Sequence, residues 1–259
     1  MNNNLEHPIR ENAQPYFFDN GGETLAILVH GFTGSPYDMK ELASFLSERG
    51  FSVKAPLLAG HGRHWVELEK YTHYDWWKSV EDEVLEGSKR FKNIFLVGYS
   101  FGANLSLDLA ARYPEQVKGV VALGTSVFLR KEFISRLLLP IIHFLFRRYK
   151  KTYIKKKQMP AYENTGCYVL VPTKSIYEFN YFRKHFTRKE LSKVKVPTLI
   201  IHSKDDSITH PLSSQYVHDK IGSETKELLF LDDVNHNPLT STRKDIIFGK
   251  IEEFLRKLV

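Results

Sequence analysis

Short, mainly apolar runs alternate along this chain with stretches whose apolar residues recur every three or four positions. Leu25–Val29, Phe51–Ala55, Asn93–Val97, Val117–Leu123, Pro197–His202 and Glu227–Leu231 read as strands. Runs without polar alternation suit strands covered on both faces. Between them, Met39, Leu42, Phe45 and Leu46 fall on one face of a helix that Pro36 opens and Gly50 ends. Further helices are expected over Tyr74–Phe91, Phe101–Arg112 (stopped before Pro114), Pro211–Ile221 and Lys244–Val259. Repeated strand–helix units with short connections imply one α/β domain built on a parallel, doubly wound sheet.

That rhythm fails between about Val127 and Lys195, a stretch too long for a loop inside a compact domain. It is apolar first, basic next, and then rich in aromatic residues. We read residues 127–195 as an inserted cap (lid) over the C-terminal edge of the sheet, where open α/β sheets bind ligands. Residues 1–126 and 196–259 form the core. Within the cap, Phe133, Ile134, Leu137, Leu138, Ile141 and Phe144 recur at helical spacing. Such a helix either packs between the core and the rest of the cap or lines an acyl-chain tunnel.

Composition narrows the function. With 259 residues, 42% hydrophobic and 26% charged, the chain has material for a large core and is not disordered. The net charge of +7 invites a nucleic-acid reading, but residues 147–157 (RRYKKTYIKKK) hold seven Lys/Arg and no acid. Without those seven, 30 basic residues face 30 acidic ones. A local surplus argues against a distributed nucleic-acid face and for a docking patch, with an anionic membrane surface as candidate partner. The single cysteine, Cys167, precludes an internal disulfide, and no zinc-type spacing of Cys and His is present. The N-terminal segment has no apolar secretory core, and the apolar stretch Phe133–Phe146 is too short to span a bilayer. A cytoplasmic protein, monomeric or dimeric, is expected.

The chemistry centres on Gly98-Tyr99-Ser100-Phe101-Gly102, set between an apolar strand and an amphipathic helix. A tight strand-to-helix turn pushes the serine oxygen out of the backbone, and the flanking glycines avoid Cβ clashes. A serine hydroxyl is a poor nucleophile until a base takes its proton. His236, directly after the last strand and before the last helix, is the candidate base. His202, His210 and His218 fall in a strand or beside a helix, and His143 and His185 belong to the cap. The acid is expected after the strand ending at His202, where Asp205 and Asp206 compete; Asp232 and Asp233 are more distant candidates. In His30-Gly31-Phe32-Thr33-Gly34, the amide of Phe32 joins that of Phe101 to meet the oxyanion of acyl transfer.

The segments LVHGFTGSPYDMKELASFLSERGFSVKAPLLAGHG, LVGYSFGANLSLDLAARYPEQVKGVVAL, HSKDDSITHP and VNHNPLT resemble the bacterial carboxylesterase and monoacylglycerol lipase family. The likeness covers nearly the whole chain except the cap. It implies an α/β-hydrolase fold, a cap between the sixth and seventh strands, Phe32 and Phe101 as oxyanion donors, and Asp205 as the acid. The basic, aromatic cap departs from that pattern and puts the substrate preference in doubt. His61, in the loop Leu58–Gly62, is expected to brace that loop. Val127, Leu138 and Ile208 are candidates to line the acyl pocket.

The expected activity is a serine carboxylic ester hydrolase acting through an acyl-enzyme on apolar esters, with no metal or organic cofactor. Aryl-ester, thioester or amide hydrolysis uses the same constellation. A non-catalytic ligand-binding module is the alternative outside enzymology. Serine at position 100 disfavours dehalogenase or epoxide-hydrolase chemistry, which needs a carboxylate there.

Overall fold

Alternate residues of the apolar runs face opposite ways, as a sheet covered on both sides requires. In β2 (Thr24–Val29), Leu25, Ile27 and Val29 enter one apolar core, and Ala26 and Leu28 enter a second. These assignments come from a computed structural model that describes residues 7–130, 146–152 and 154–259.

Among the described residues the main sheet also contains β1 (Tyr16–Phe18), β3 (Ser52–Ala55), β4 (Asn93–Tyr99), β5 (Val117–Leu123), β8 (Thr198–Ser203) and β9 (Lys226–Leu231). Their order is β1-β3-β2-β4-β5-β8-β9. Every neighbouring pair is parallel except β1 with β3. The crossover helices are α1 (Lys40–Ser47), α2 (Trp65–Leu68), α3 (His73–Gly87) and α4 (Phe101–Arg112). The fold is an α/β-hydrolase fold, doubly wound around a mostly parallel sheet.

Sequence periodicity decides which helix covers which face. Trp76, Val80 and Val84 of α3 close the first core together with α4. Leu42 and Leu46 of α1 close the second, with Ile247, Ile251 and Phe254 of the terminal helix Lys244–Arg256. The start of α3 is fixed by a capping box between Thr72 and Asp75, one residue before the expected start. Thus α4 is buried nearly all round, because the sheet lies beneath it and later segments lie above.

Between β5 and β8 the chain leaves the main sheet. It forms a hairpin of β6 (Arg148–Lys150) and β7 (Leu170–Pro172), with α5 (Met159–Asn164) between them and α6 (Thr173–Phe182) after. Phe179 and Phe182 of α6 join the first core. Among the described residues the insertion therefore follows the fifth strand of the main sheet, not the sixth, since one strand, β1, precedes β2. Leu138, His143 and most of the apolar stretch Phe133–Phe146 lie outside the described residues. The chain closes through α7 (Leu212–Lys220) and α8 (Lys244–Arg256). Among the described residues no helix is long and apolar enough to cross a membrane.

Candidate active site

The C-terminal ends of the parallel strands meet along one edge, and the residues immediately after them carry the chemistry. Ser100 follows β4 with φ +55° and ψ −115°, a conformation unfavourable for a non-glycine residue. Close packing enforces it. A Cβ on Gly98 would run into the backbone of Gly102, and one on Gly102 into the carbonyl of Val29. Both positions of the motif are thus tied to the approach of α4 to β2 and β4.

His236 reaches Ser100 from the loop after β9, with Nε2 at 3.1 Å from Ser100 Oγ. On the other side of the ring, Nδ1 lies 2.7 Å from Oδ2 of Asp206. The carboxylate on the imidazole is therefore Asp206 and not Asp205. The turn after β8 explains the difference. Oδ1 of Asp206 accepts the amides of Ile208 (2.8 Å) and Thr209 (2.9 Å), which folds the side chain inward. Asp205 sits on the outside of the turn, exposed, and accepts the amide of Asp233 at 2.9 Å. Asp232 and Asp233 do not reach the imidazole either: Asp232 pairs with Lys204, and Asp233 approaches Arg243.

Asp206 is enclosed by donors that sequence reading did not assign. Thr209 Oγ1 donates to Oδ2 at 2.6 Å, and His202 Nε2 lies 3.3 Å from the same oxygen. His202 is in turn held by Ser214 Oγ at 2.7 Å. Burial works against charge on Asp206, but the contacts from His202, His236 and Thr209 outweigh it and hold the carboxyl well below its ordinary range. It is ionised at neutral pH. The spacing Asp206-x-x-Thr209, a self-capped turn, is the sequence signal that singles out this aspartate.

Ser126, in the loop after β5, was also missed. Its hydroxyl lies 3.0 Å from Ser100 Oγ. Asn104 fixes its backbone from both sides, accepting from Ser126 N at 3.0 Å and donating to Ser126 O at 3.2 Å. Arg183 Nε donates to the same carbonyl at 2.9 Å. No sequence motif joins Ser126 to Ser100, because only the fold brings these loops together.

The loop after β2 carries Phe32. Among the described residues no acceptor is hydrogen-bonded to the amide of Phe32 or of Phe101. Two buried histidines brace this loop. His61 Nε2 accepts the amide of Thr33 at 3.1 Å while Nδ1 donates to the carbonyl of Ala59. His30 Nε2 accepts the amide of Leu58 at 3.1 Å and Nδ1 donates to Gly31 O. Burial lowers His30 to about 4 and drives His61 well below its ordinary value, so both are neutral. His61 braces, as expected. The ring of Phe32 stacks on Phe179 at 4.9 Å and meets Phe101 and Trp76 edge-on or tilted, giving an apolar aromatic layer beside Ser100.

Of the pocket candidates, Ile208 is half-buried beside Asp206. Val127 is not an open wall: its side chain is wholly buried in the core, and its carbonyl accepts from Arg183 and Arg188. The backbone turn those arginines impose points this residue inward. Leu138 is outside the described residues. Among the described residues no group of three or more His, Cys, Asp or Glu is arranged to hold a metal ion.

An α/β-hydrolase fold with a serine, a histidine and a carboxylate in line defines a serine hydrolase. The chain belongs to the Hydrolase_4 family (serine aminopeptidase, S33), whose model matches residues 23–243. It is 28% identical to a thermostable monoacylglycerol lipase of Bacillus sp. strain H-257, over 97% of this chain and 98% of that protein. It is 27% identical to a carboxylesterase of Bacillus subtilis, over 95% and 97% of the two chains. A metagenome-derived lipolytic enzyme has the same fold, with a TM-score of 0.85 over 96% of this chain and 100% of that one at 24% identity. A soluble variant of Saccharomyces cerevisiae monoglyceride lipase gives 0.78 over 99% and 97% at 18% identity. The protein is a serine ester hydrolase.

Proposed function

We propose that the chain hydrolyses carboxylic esters of apolar acyl groups, monoacylglycerols among them, through an acyl-enzyme on Ser100. The observation that carries this is the continuous line Ser100 Oγ–His236 Nε2–His236 Nδ1–Asp206 Oδ2, with steps of 3.1 Å and 2.7 Å. Ser100 attacks the carbonyl carbon while its proton passes to His236 Nε2. The oxyanion is met by the amides of Phe32 and Phe101 at the N-terminus of α4. Collapse expels the alcohol, which takes the proton back from His236. Water then repeats the sequence and frees the acid. Asp206 holds the proton on Nδ1, leaving Nε2 as the acceptor.

The aromatic layer of Phe32, Phe101, Phe179 and Trp76 supports the reading of an apolar acyl group, and we assign half-buried Ile208 to the same pocket. We regard residues 127–195 as the cap over this site. Initial rates on p-nitrophenyl esters from acetate to palmitate, and on monoacylglycerols, test the reading. Activity is expected on all short esters, with an optimum at medium or long chains. Folded protein inert towards every ester, yet active on an amide or thioester, would move it to the other chemistries of this constellation.

The basic run supports a second contact, with an anionic membrane surface. Its charges are not all available. Lys151 is buried and Arg147 pairs with Glu69, but Arg148, Lys150, Lys155, Lys156 and Lys157 are exposed, as is the ring of Phe146. Co-sedimentation with phosphatidylglycerol vesicles should fall severalfold between about 50 and 500 mM salt, as screening predicts. Binding indifferent to salt and to anionic lipid would refute the contact. The one thiol, Cys167, is buried and free, which suits a reducing cytoplasm.

A further inference from the structure

Lys151 follows β6 and is buried, with 8% of its surface exposed. No carboxylate among the described residues forms an ion pair with it. Its ammonium donates instead to two hydroxyls, Thr33 Oγ1 at 2.5 Å and Tyr162 OH at 3.2 Å, and lies 5.1 Å from the centre of the Tyr162 ring. An ammonium withdrawn from water with no carboxylate at ion-pair distance costs folding stability. Burial lowers its pKa to about 8 despite the opposing influence of Cys167 and Asp38. Its contacts therefore ask for a reason other than stability.

Thr33 supplies one. It is the residue after Phe32, and at φ +64° it holds a conformation that β-branched side chains disfavour. Each of its polar atoms is engaged. The amide donates to His61 Nε2 at 3.1 Å, and the carbonyl accepts the amide of Tyr168 at 3.0 Å. The hydroxyl donates to the carbonyl of Phe32 at 2.6 Å and accepts from Lys151. Lys151 and Tyr168 come from the two sides of the same hairpin, since Lys151 N donates to Val169 O at 3.0 Å. The insertion thus grips Thr33 at two points, and one bond runs through the Thr33 hydroxyl to the peptide carrying Phe32.

We propose that Lys151 is a positioning residue for the oxyanion loop, holding through the Thr33 hydroxyl the turn that aims the Phe32 amide at the reacting carbonyl. The inference rests on the acyl-enzyme reading above, in which Phe32 is an oxyanion donor. It makes docking of the β6–β7 hairpin a condition for full transition-state stabilisation. Lys151 touches no reacting atom and acts only through the loop.

Lys151→Met keeps the length of the side chain and removes both donated bonds. Thr33→Val removes the relay hydroxyl at constant shape, and Thr33→Ser keeps it. Removing a whole oxyanion donor costs about 100–1,000-fold, so a misaimed one should lower kcat by about 10–100-fold. KM should stay within about twofold and the melting temperature of Lys151→Met should not fall, because a costly buried charge is gone. Thr33→Ser should recover most of the loss seen in Thr33→Val. Affinity for an alkyl trifluoromethyl ketone, whose adduct with Ser100 carries an oxyanion, should fall in step with kcat. Affinity for a non-reacting ether analogue should not. Wild-type kcat in folded Lys151→Met and Thr33→Val overturns the inference, as does a loss confined to KM or to thermal stability. If Ser100→Ala is inactive while both variants keep full kcat, only this inference falls. If Ser100→Ala is active, the underlying acyl-enzyme reading falls instead.

Discussion

Ser100→Ala should lower kcat for ester hydrolysis on the order of 10⁶-fold, equivalent to ~8 kcal/mol of barrier, while leaving the protein folded. The magnitude follows from the chemistry: without the hydroxyl there is no acyl-enzyme, and what remains is general solvation by the oxyanion amides. Folding stability should stay close to that of the wild type. Alanine relieves nothing of the φ +55° at this position, but it adds no atom to the crowded turn. Ser126, 3.0 Å from the lost oxygen, does not replace it. Its backbone is clamped by Asn104 and Arg183, and His236 Nε2 is bonded to Ser100 and not to it. Stopped-flow or discontinuous assays with p-nitrophenyl butyrate measure the effect. Residual activity above a thousandth of wild type would mean that another group attacks the ester.

The second large effect separates two adjacent carboxylates. Asp206→Asn should lower kcat on the order of 10⁴-fold, whereas Asp205→Asn should change it by no more than about threefold. An asparagine amide at 206 can donate to His236 Nδ1, which leaves the proton on Nε2, where it blocks acceptance of the Ser100 proton. At position 205 the side chain is exposed and serves only the amide of Asp233. Stability offers an independent readout. The folded-state pKa of Asp206 lies below its ordinary 3.8, so its contribution is complete above that value and is lost as the pH falls through the folded pKa. Asp206→Asn should therefore flatten the acid limb of the unfolding free energy, followed by urea titration between pH 5 and pH 2. If Asp205→Asn were the inactive variant, the assignment of the acid would be reversed.

That pair of aspartates also marks where sequence ceased to be informative. The central apolar runs were readable because those strands are covered on both faces, so Leu25–Val29 has no polar residue and Ile94–Val97 continues the same pattern. The turn at Ser100 was readable because its two glycines stand at fixed spacing between a strand and a helix, one avoiding a clash within the turn and the other a clash with the carbonyl of Val29 on β2. The acid was not, because the choice between residues 205 and 206 depends on which way a turn rolls. Two amides and Thr209 decide that, and the likeness to relatives pointed to the wrong neighbour. β1 escaped because three residues between Pro15 and Asp19 make too short a pattern to distinguish from loop. Two partners of the site, Ser126 and Lys151, come from segments far in sequence from the residues they touch. Their proximity follows from the sheet order, which no local periodicity encodes.

The most direct measurement is covalent. Incubating the protein with diethyl p-nitrophenyl phosphate should release one equivalent of p-nitrophenol and leave one diethylphosphoryl group, found by peptide mass mapping on Ser100 and absent from Ser100→Ala. Asp206→Asn should react far more slowly and Asp205→Asn normally. A folded, unlabelled protein, or an adduct on any other side chain, would contradict the claim that Ser100 is the nucleophile of this hydrolase.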